Sequence, residues 1–140
     1  MMLTPLIRFY HDLTLESVAR FPEFYAADAY FKDPFNEVRG VAAIQRIFSH
    51  MFRQVGEPRF VVTEQIGDAQ GVMLVWEFYF RIRLCGRGKT QVMRGVSHLR
   101  FDDDGKVNYH RDYWDTAEEL YMKLPGLGAV MRGLRHVLSA

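Results

Sequence analysis

Two stretches of the sequence carry residues that could move a proton. Asp33 precedes Pro34, and a proline disfavours the helical conformation in the residue before it, so Asp33 is expected at the end of an extended segment. Further along, His110 and Asp112 alternate in a segment with strand character, which places both side chains on one face. Carboxylates and imidazoles are common general acids and bases. The pattern therefore indicates acid–base chemistry inside the space that the strands enclose.

Both stretches also allow a purely structural interpretation. Asp33 can be a turn aspartate that accepts hydrogen bonds from nearby backbone N–H groups. His110 and Asp112 can form a polar pair that satisfies only itself, with Arg94 or Arg111 on the outside. The residue types alone leave these alternatives open.

The composition describes an ordinary globular chain with an excess of aromatic residues. Its 140 residues fit one domain, 49% are hydrophobic, 25% are charged, and the formal net charge is +1. A nucleic-acid-binding protein would need a strongly basic face, so no nucleic-acid partner is expected. Aromatic residues make up 14% of the chain. Such residues either fill a core or line an apolar pocket, which makes a hydrophobic small molecule the expected ligand.

Cysteine, targeting and ligand patterns narrow the class further. The single cysteine, Cys85, excludes an internal disulfide and fits a reducing compartment. We see no signal-peptide pattern and no apolar run of membrane-spanning length, and we therefore expect a cytoplasmic protein without a membrane partner. Neither a metal-ligand spacing nor a glycine-rich phosphate loop is present, so no metal and no cofactor are predicted.

Hydrophobic periodicity predicts helices first and strands afterwards. A first helix is expected from Thr4 to Ala27, interrupted near Pro22, and a second from Val41 to Gln54. Four strands are then expected, over residues 60–66, 72–84, 90–101 and 106–114. A closing helix begins at Thr116, and residues 116–140 form an additional helical segment. This order predicts an α+β fold in a single domain, residues 1–140, with helices packed against one curved sheet.

Alternation along the strands predicts which side chains face the enclosed space. In the long strand these are Trp76, Phe78 and Phe80, while Glu77, Tyr79, Arg81 and Arg83 point the other way. In the last strand the inward set is Asn108, His110, Asp112 and Trp114. The second helix adds Ile47 and Phe48 from its apolar face.

Three short segments carry a resemblance to a known superfamily. The stretch ADAYFKDPFNEVRG, the AAI of the following helix, and VSHLRFDDDGKV before the last strand occur in that order. Together they resemble the nuclear transport factor 2-like superfamily, which includes ketosteroid isomerases and SnoaL-like polyketide cyclases. The resemblance extends to about Trp114. It implies a cone-shaped, curved antiparallel sheet with N-terminal helices packed on it, and it implies a homodimer.

The resemblance also implies roles for individual residues. Asp33 matches the aspartate that serves as the base in ketosteroid isomerases, and Tyr10 falls near their oxyanion-binding tyrosine. Ser97 takes the place of a second donor that is a carboxylic acid in the isomerases, and serine is the weaker donor. His110 and Asp112 are more similar to the acid–base residues of the cyclases and dehydratases.

These observations lead to one main hypothesis and two alternatives. We expect a cofactor-independent enzyme that isomerises, cyclises or dehydrates a hydrophobic carbonyl compound, with Asp33 moving the proton, His110 and Asp112 assisting, and Tyr10 and Ser97 stabilising the oxyanion. The substrate-binding set would be Ile47, Phe48, Trp76, Phe78, Phe80, Ser97 and Trp114. The alternatives are a non-catalytic binding protein and a dimerisation module.

Overall fold

Six strands form one curled sheet whose edges do not meet in the computed structural model, which describes residues 3–82, 90–119 and 127–139. The strands are β1 (Tyr25–Lys32), β2 (Glu37–Arg39), β3 (Val55–Asp68), β4 (Gly71–Ile82), β5 (Gln91–Phe101) and β6 (Val107–Tyr113). Their order across the sheet is β2-β1-β6-β5-β4-β3. All neighbours are antiparallel except β1 and β6, which run parallel. The predicted α+β class, with helices on a curved sheet, is confirmed.

Within the described ranges, five α-helices accompany the sheet. They are α1 (Leu3–His11), α2 (Phe21–Phe24), α3 (Val41–Gln54), α4 (Thr116–Glu119) and α5 (Leu127–Leu138). The predicted bounds of α3 are confirmed; the helix packs on β1 and β3 and buries Ile44, Phe48 and Phe52. No helix in the described ranges is both long enough and apolar enough to cross a membrane.

The first predicted helix, from Thr4 to Ala27, is wrong in its second half. The helix ends at His11, and a short 3-10 turn and α2 follow before the chain enters β1 at Tyr25. Beyond the end of the helix, Thr14 and Ser17 exchange hydrogen bonds that hold a non-helical turn: the Thr14 N–H donates to Ser17 Oγ at 2.8 Å, and the Ser17 N–H donates to Thr14 Oγ1 at 3.1 Å. The apolar spacing misled the prediction because the broken segment still buries its large side chains.

The strands predicted over residues 90–101 and 106–114 are confirmed to within one residue, at Gln91–Phe101 and Val107–Tyr113. The strand predicted over residues 60–66 extends at both ends to Val55–Asp68 and follows α3 without a loop. The end of the next predicted strand, the hairpin with Cys85, and residues 120–126 of the closing segment lie outside the described residues.

A β-bulge in β6 sets which of its side chains face inward. The pairs on the two sides of the bulge are Phe101–Val107 and Arg100–Tyr109. Asn108 is the extra residue, so Val107 and His110 are both buried while Asn108 is exposed. The prediction that Asn108 shares the inner face with His110 and Asp112 is therefore wrong, since simple alternation does not anticipate a bulge.

Candidate active site

A chain of hydrogen-bonded side chains crosses the inner side of the sheet. In order, it consists of Tyr10, Tyr25, His110, Asp112, Ser97 and Trp76. The successive donor–acceptor distances are 2.5, 2.6, 2.6, 2.5 and 2.8 Å. Five elements supply these residues, because α1, β1, β4, β5 and β6 meet on this side. The fold therefore brings together hydrogen-bonded pairs that are up to 85 positions apart in the sequence.

Asp112 occupies the centre of this chain. One carboxylate oxygen, Oδ1, accepts hydrogen bonds from His110 Nε2 at 2.6 Å and from Ser97 Oγ at 2.5 Å. Ser97 is the register partner of Asp112 across the β5–β6 ladder, and His110 lies two residues earlier on the same strand. The other oxygen, Oδ2, has no hydrogen-bond partner among the described residues, and the Asp112 side chain is 15% exposed. Asp112 therefore has one fixed oxygen and one that remains accessible.

Two buried tyrosines continue the chain beyond His110. The Tyr25 hydroxyl lies 2.6 Å from His110 Nδ1 and 2.5 Å from the Tyr10 hydroxyl. Burial raises the pKa of Tyr25 well above its ordinary value, and its interaction with the Tyr10 hydroxyl and the nearby Asp112 carboxylate add to this. Burial also raises the pKa of Tyr10, partly offset by its hydrogen bond with Tyr25. Both side chains therefore remain neutral phenols.

Tyr25 is the residue of this chain that sequence reasoning missed. The first predicted helix includes Tyr25, and a helical position gives its side chain no direction toward the sheet. The run from Tyr25 to Phe31 contains three aromatic residues in seven positions, and aromatic residues are enriched in strands. Reading that run as a strand would have placed Tyr25 on the inner face.

Trp76 and Gly95 support the opposite end of the chain. Trp76 pairs with Gly95 across the β4–β5 ladder, and the Trp76 indole N–H donates to Ser97 Oγ. A Cβ atom on Gly95 would lie 2.4 Å from Trp76 Cη2, far inside van der Waals contact. Glycine at this position thus makes room for the indole ring that holds Ser97 against Asp112.

Asp33 has a different environment. Its Oδ1 accepts hydrogen bonds from the backbone N–H groups of Phe35 at 2.8 Å and Asn36 at 2.6 Å. The Asn36 side-chain amide lies 3.2 Å from both carboxylate oxygens. These contacts are those of a turn aspartate, and within the described part of the chain Asp33 makes no hydrogen bond to the buried chain of side chains.

Three neighbouring cavities lie along the inner side of the sheet. An inner cavity of about 30 Å³ is bordered by Tyr10, Ser97, His110 and Asp112 among apolar side chains. A middle cavity of about 60 Å³ shares Phe48, Phe60, Trp76 and Asp112 with the inner one. An outer groove of about 610 Å³ shares Asp33, Ile47, Met51, Phe78, Met93 and Trp114 with the middle one. Asp112 thus lies where the buried hydrogen-bond chain meets the apolar cavities.

Every residue predicted to bind or transform a substrate borders one of these cavities. The inner and middle cavities receive Tyr10, Ile47, Phe48, Trp76, Phe78, Ser97, His110, Asp112 and Trp114, with Asp33 on the middle one. Phe80 borders the outer groove. Within the described residues, no group of three histidine, cysteine or acidic side chains is placed to hold a metal ion.

The outer face of the sheet carries the residues proposed for dimerisation. Tyr79 donates a hydrogen bond to Glu77 at 3.1 Å and stacks under the Arg59 guanidinium, 4.7 Å from the ring centre. Arg81 pairs with Glu57 at 3.2 Å. The third residue, Arg83, lies outside the described residues. A dimer through this face stays a prediction.

Comparison with known families identifies the domain. The model of the SnoaL-like domain matches residues 6–110, three quarters of the chain. The chain belongs to the SnoaL-like domain family. The match includes Tyr10, Tyr25, Ser97 and His110, and it ends two residues before Asp112. The SnoaL-like domain therefore contains most of the buried hydrogen-bond chain.

Solved structures share the fold of this SnoaL-like domain. A protein with a ketosteroid isomerase-like fold from Catenulispora acidiphila, in complex with trimethylamine, superposes with a TM-score of 0.70 at 14% identity, over 84% of this chain and 88% of that chain. A protein assigned as a SnoaL-like polyketide cyclase from Jannaschia gives 0.70 at 13% identity, over 83% and 86%. TerC, co-crystallised with polyporic acid, gives 0.65 at 20% identity, over 80% and 87%. No curated protein matches the sequence.

Proposed function

We propose that this SnoaL-like domain is a cofactor-independent enzyme that moves a proton on a hydrophobic carbonyl compound. Asp112 is the group that exchanges the proton with the substrate. His110 and Ser97 are positioning residues, because both donate hydrogen bonds to Oδ1 of Asp112 and leave the accessible oxygen, Oδ2, to the substrate. Isomerisation, cyclisation and dehydration all include such a proton transfer, so the proposal covers these three reaction classes.

The observation that carries the proposal is the position of the Asp112 carboxylate. One of its oxygens accepts hydrogen bonds from two donors. The carboxylate borders both the inner and the middle cavity, and the other side chains that line these cavities are largely aromatic. A positioned base needs to be within hydrogen-bond reach of the proton it abstracts. Asp112 has that reach into the cleft through Oδ2.

The shape of the cleft supports an apolar substrate with one reacting end. The outer groove is lined mainly by apolar side chains and has a volume within the usual range for small-molecule sites. The inner cavity holds little more than one polar group. In this arrangement the body of the ligand lies in the groove and its reacting end approaches Asp112. Trimethylamine and polyporic acid in two similar structures are compatible with an organic ligand in this fold.

The proposal can be tested with an activated carbonyl probe. Benzoylacetone is an aryl 1,3-diketone whose keto–enol interconversion is followed by ultraviolet absorbance. We expect the wild-type protein to accelerate interconversion and the Asp112→Asn variant to lose about 100-fold or more, the usual contribution of a positioned general base. Circular dichroism and thermal melting establish that the variant is folded. An equal rate in the two folded proteins would remove Asp112 from the reaction.

One observation favours a non-catalytic binding protein as the second candidate. Among the described residues, no buried side-chain nitrogen or oxygen lacks a hydrogen-bond partner, so the polar chain is complete without a substrate. A binding protein would take up benzoylacetone, with its absorbance or chemical shifts changed by occupancy, and would leave the interconversion rate unaltered. The same assay therefore separates the two candidates.

A further inference from the structure

The hydrogen inventory of the buried chain determines what the inner cavity can offer a ligand. Each hydroxyl of Tyr10, Tyr25 and Ser97 has one hydrogen to donate, the Trp76 indole has one, and a neutral His110 ring has one. The chain contains five hydrogen bonds among these groups and Asp112. With His110 as the neutral imidazole and Asp112 as the carboxylate, five hydrogens serve five bonds, and this protonation state fixes the direction of each bond.

The direction follows from the Asp112 carboxylate, which can only accept. Ser97 Oγ–H and His110 Nε2–H must both point to Oδ1. Once Nε2 carries the ring hydrogen, Nδ1 of the neutral imidazole can only accept, so the Tyr25 hydroxyl donates to it. Tyr25 has then used its hydrogen, and its oxygen accepts the hydrogen of Tyr10.

The opposite end of the chain is directed in the same way. The Trp76 indole N–H is a donor only, and it gives its hydrogen to Ser97 Oγ. Ser97 therefore has no hydrogen left for a ligand. With Asp112 as the carboxylate, every hydrogen of the chain points toward Asp112.

The side chains at the inner cavity consequently present acceptors. Tyr10 and Asp112 both border this cavity; Tyr10 retains an oxygen lone pair and Asp112 retains Oδ2. The expectation that Tyr10 and Ser97 donate to an oxyanion does not fit this proton arrangement, because both hydrogens are already used within the chain. A ligand carbonyl placed here would meet oxygen lone pairs without a donor.

We infer that the inner cavity selects ligands that end in a hydroxyl group, such as an alcohol, a phenol or an enol, over ligands that end in a carbonyl. The inference rests on the proposed role of the cleft as the site for an apolar small molecule. Tyr25 is the specificity-determining residue, since it takes the hydrogen that Tyr10 would otherwise direct into the cavity. For the proposed enzyme, the group of the carbonyl substrate that enters the inner cavity is then an O–H group, such as that of its enol form, with Asp112 as the acceptor.

Binding of a matched pair of probes tests this selectivity without requiring turnover. The pair is 1-phenylethanol and acetophenone, which share a carbon skeleton and differ in a hydroxyl against a carbonyl. Protein-detected NMR titration gives both affinities. In the wild-type protein we expect the alcohol to bind about tenfold more tightly, which corresponds to one unmet polar contact in a buried site.

Two variants locate the cause of the preference. Tyr25→Phe removes the acceptor of the Tyr10 hydrogen and frees it for the cavity, so acetophenone binding should improve and the preference should fall to about threefold or less. Tyr10→Phe is the matched control: it removes a cavity acceptor, so alcohol binding should weaken while acetophenone gains nothing. The wild-type comparison and the control keep the test valid even if Tyr25→Phe does not fold.

Several results would overturn the inference. They are equal affinities for the two probes in the wild-type protein, tighter binding of acetophenone, or no binding of either probe. A retained preference in a folded Tyr25→Phe protein would remove Tyr25 from the explanation. If the wild-type protein does not accelerate benzoylacetone interconversion but clearly prefers the alcohol, the proposed catalysis is contradicted and the binding inference is retained.

Discussion

Asp33 directly follows β1 and Asp112 lies in the neighbouring strand β6, and the two carboxylates have different surroundings. Lys32 of β1 and Arg111 of β6 are register partners, so each aspartate follows a member of the same pair. Asp33 binds backbone and side-chain groups at most three residues away. Asp112 is held by His110 and by Ser97 from the neighbouring strand. The two carboxylates therefore differ in their hydrogen-bond partners, which are local in the sequence for Asp33 and include a residue of the neighbouring strand for Asp112.

The largest stability effect should come from the long-range support of Asp112. His110→Leu removes one hydrogen-bond partner from the Asp112 carboxylate and one from the Tyr25 hydroxyl, which leaves Ser97 and Tyr10 as their remaining partners. We expect a loss of about 3 kcal/mol in the free energy of unfolding, as for a buried pair with one member removed. Denaturant unfolding measures this value. His98→Leu is the matched control on the outer face of β5. A loss as large as that of His110→Leu would show that the buried hydrogen-bond chain contributes no more to stability than a residue on the outer face.

A smaller effect is expected at the residue that accommodates Trp76. Gly95→Ala introduces a methyl group where a Cβ atom would lie 2.4 Å from the indole. The ring must move, and overpacking of this kind costs about 2 kcal/mol. Thermal or denaturant unfolding detects the loss, and a shift in tryptophan fluorescence reports the ring. Gly133→Ala, where a Cβ atom would meet nothing within 4 Å, is the control. Unchanged stability and fluorescence in Gly95→Ala would show that Trp76 is not fixed by this contact.

The smallest effect is expected from the local turn. Asp33→Ala removes the acceptor for two backbone N–H groups of the turn. We expect a stability loss of about 1 kcal/mol, because these groups are partly solvated and can bind water. Asp68→Ala, at an exposed turn with one such hydrogen bond, is the control and should lose less. A loss for Asp33→Ala as large as that for His110→Leu would mean that Asp33 also supports the core.

The contrast also explains what the sequence could reveal. The turn around Asp33 follows from Pro34 and nearby polar residues, so both of its possible roles were visible in the sequence. The pairing of Ser97 with Asp112 depends on register between two strands, and the bulge at Asn108 changes the alternation in β6. The sequence did not identify Tyr25 as an inward-facing strand residue, because the helical spacing of apolar residues continues through the segment where the helix is broken. Local chemistry was therefore predictable, whereas contacts across 15 to 85 positions required the fold.

The inner aromatic residues represent an intermediate case. Trp76, Phe78 and Phe80 were predicted to face inward from simple alternation, and all three are buried. Alternation could not separate a filled core from a cleft. The cavities beside these residues arise from the spacing of α3 and the curled sheet, which no residue pattern encodes on its own.

The most direct test of the account compares Asp112→Asn with Asp33→Asn in the benzoylacetone interconversion assay. The two substitutions are chemically identical, and each lies directly after one member of the Lys32–Arg111 register pair. We predict that Asp112→Asn lowers the rate by about 100-fold or more, whereas Asp33→Asn, once shown to be folded, stays within about threefold of the wild-type protein. The opposite order, with Asp33→Asn inactive and Asp112→Asn active, would assign the proton transfer to Asp33 and contradict the account.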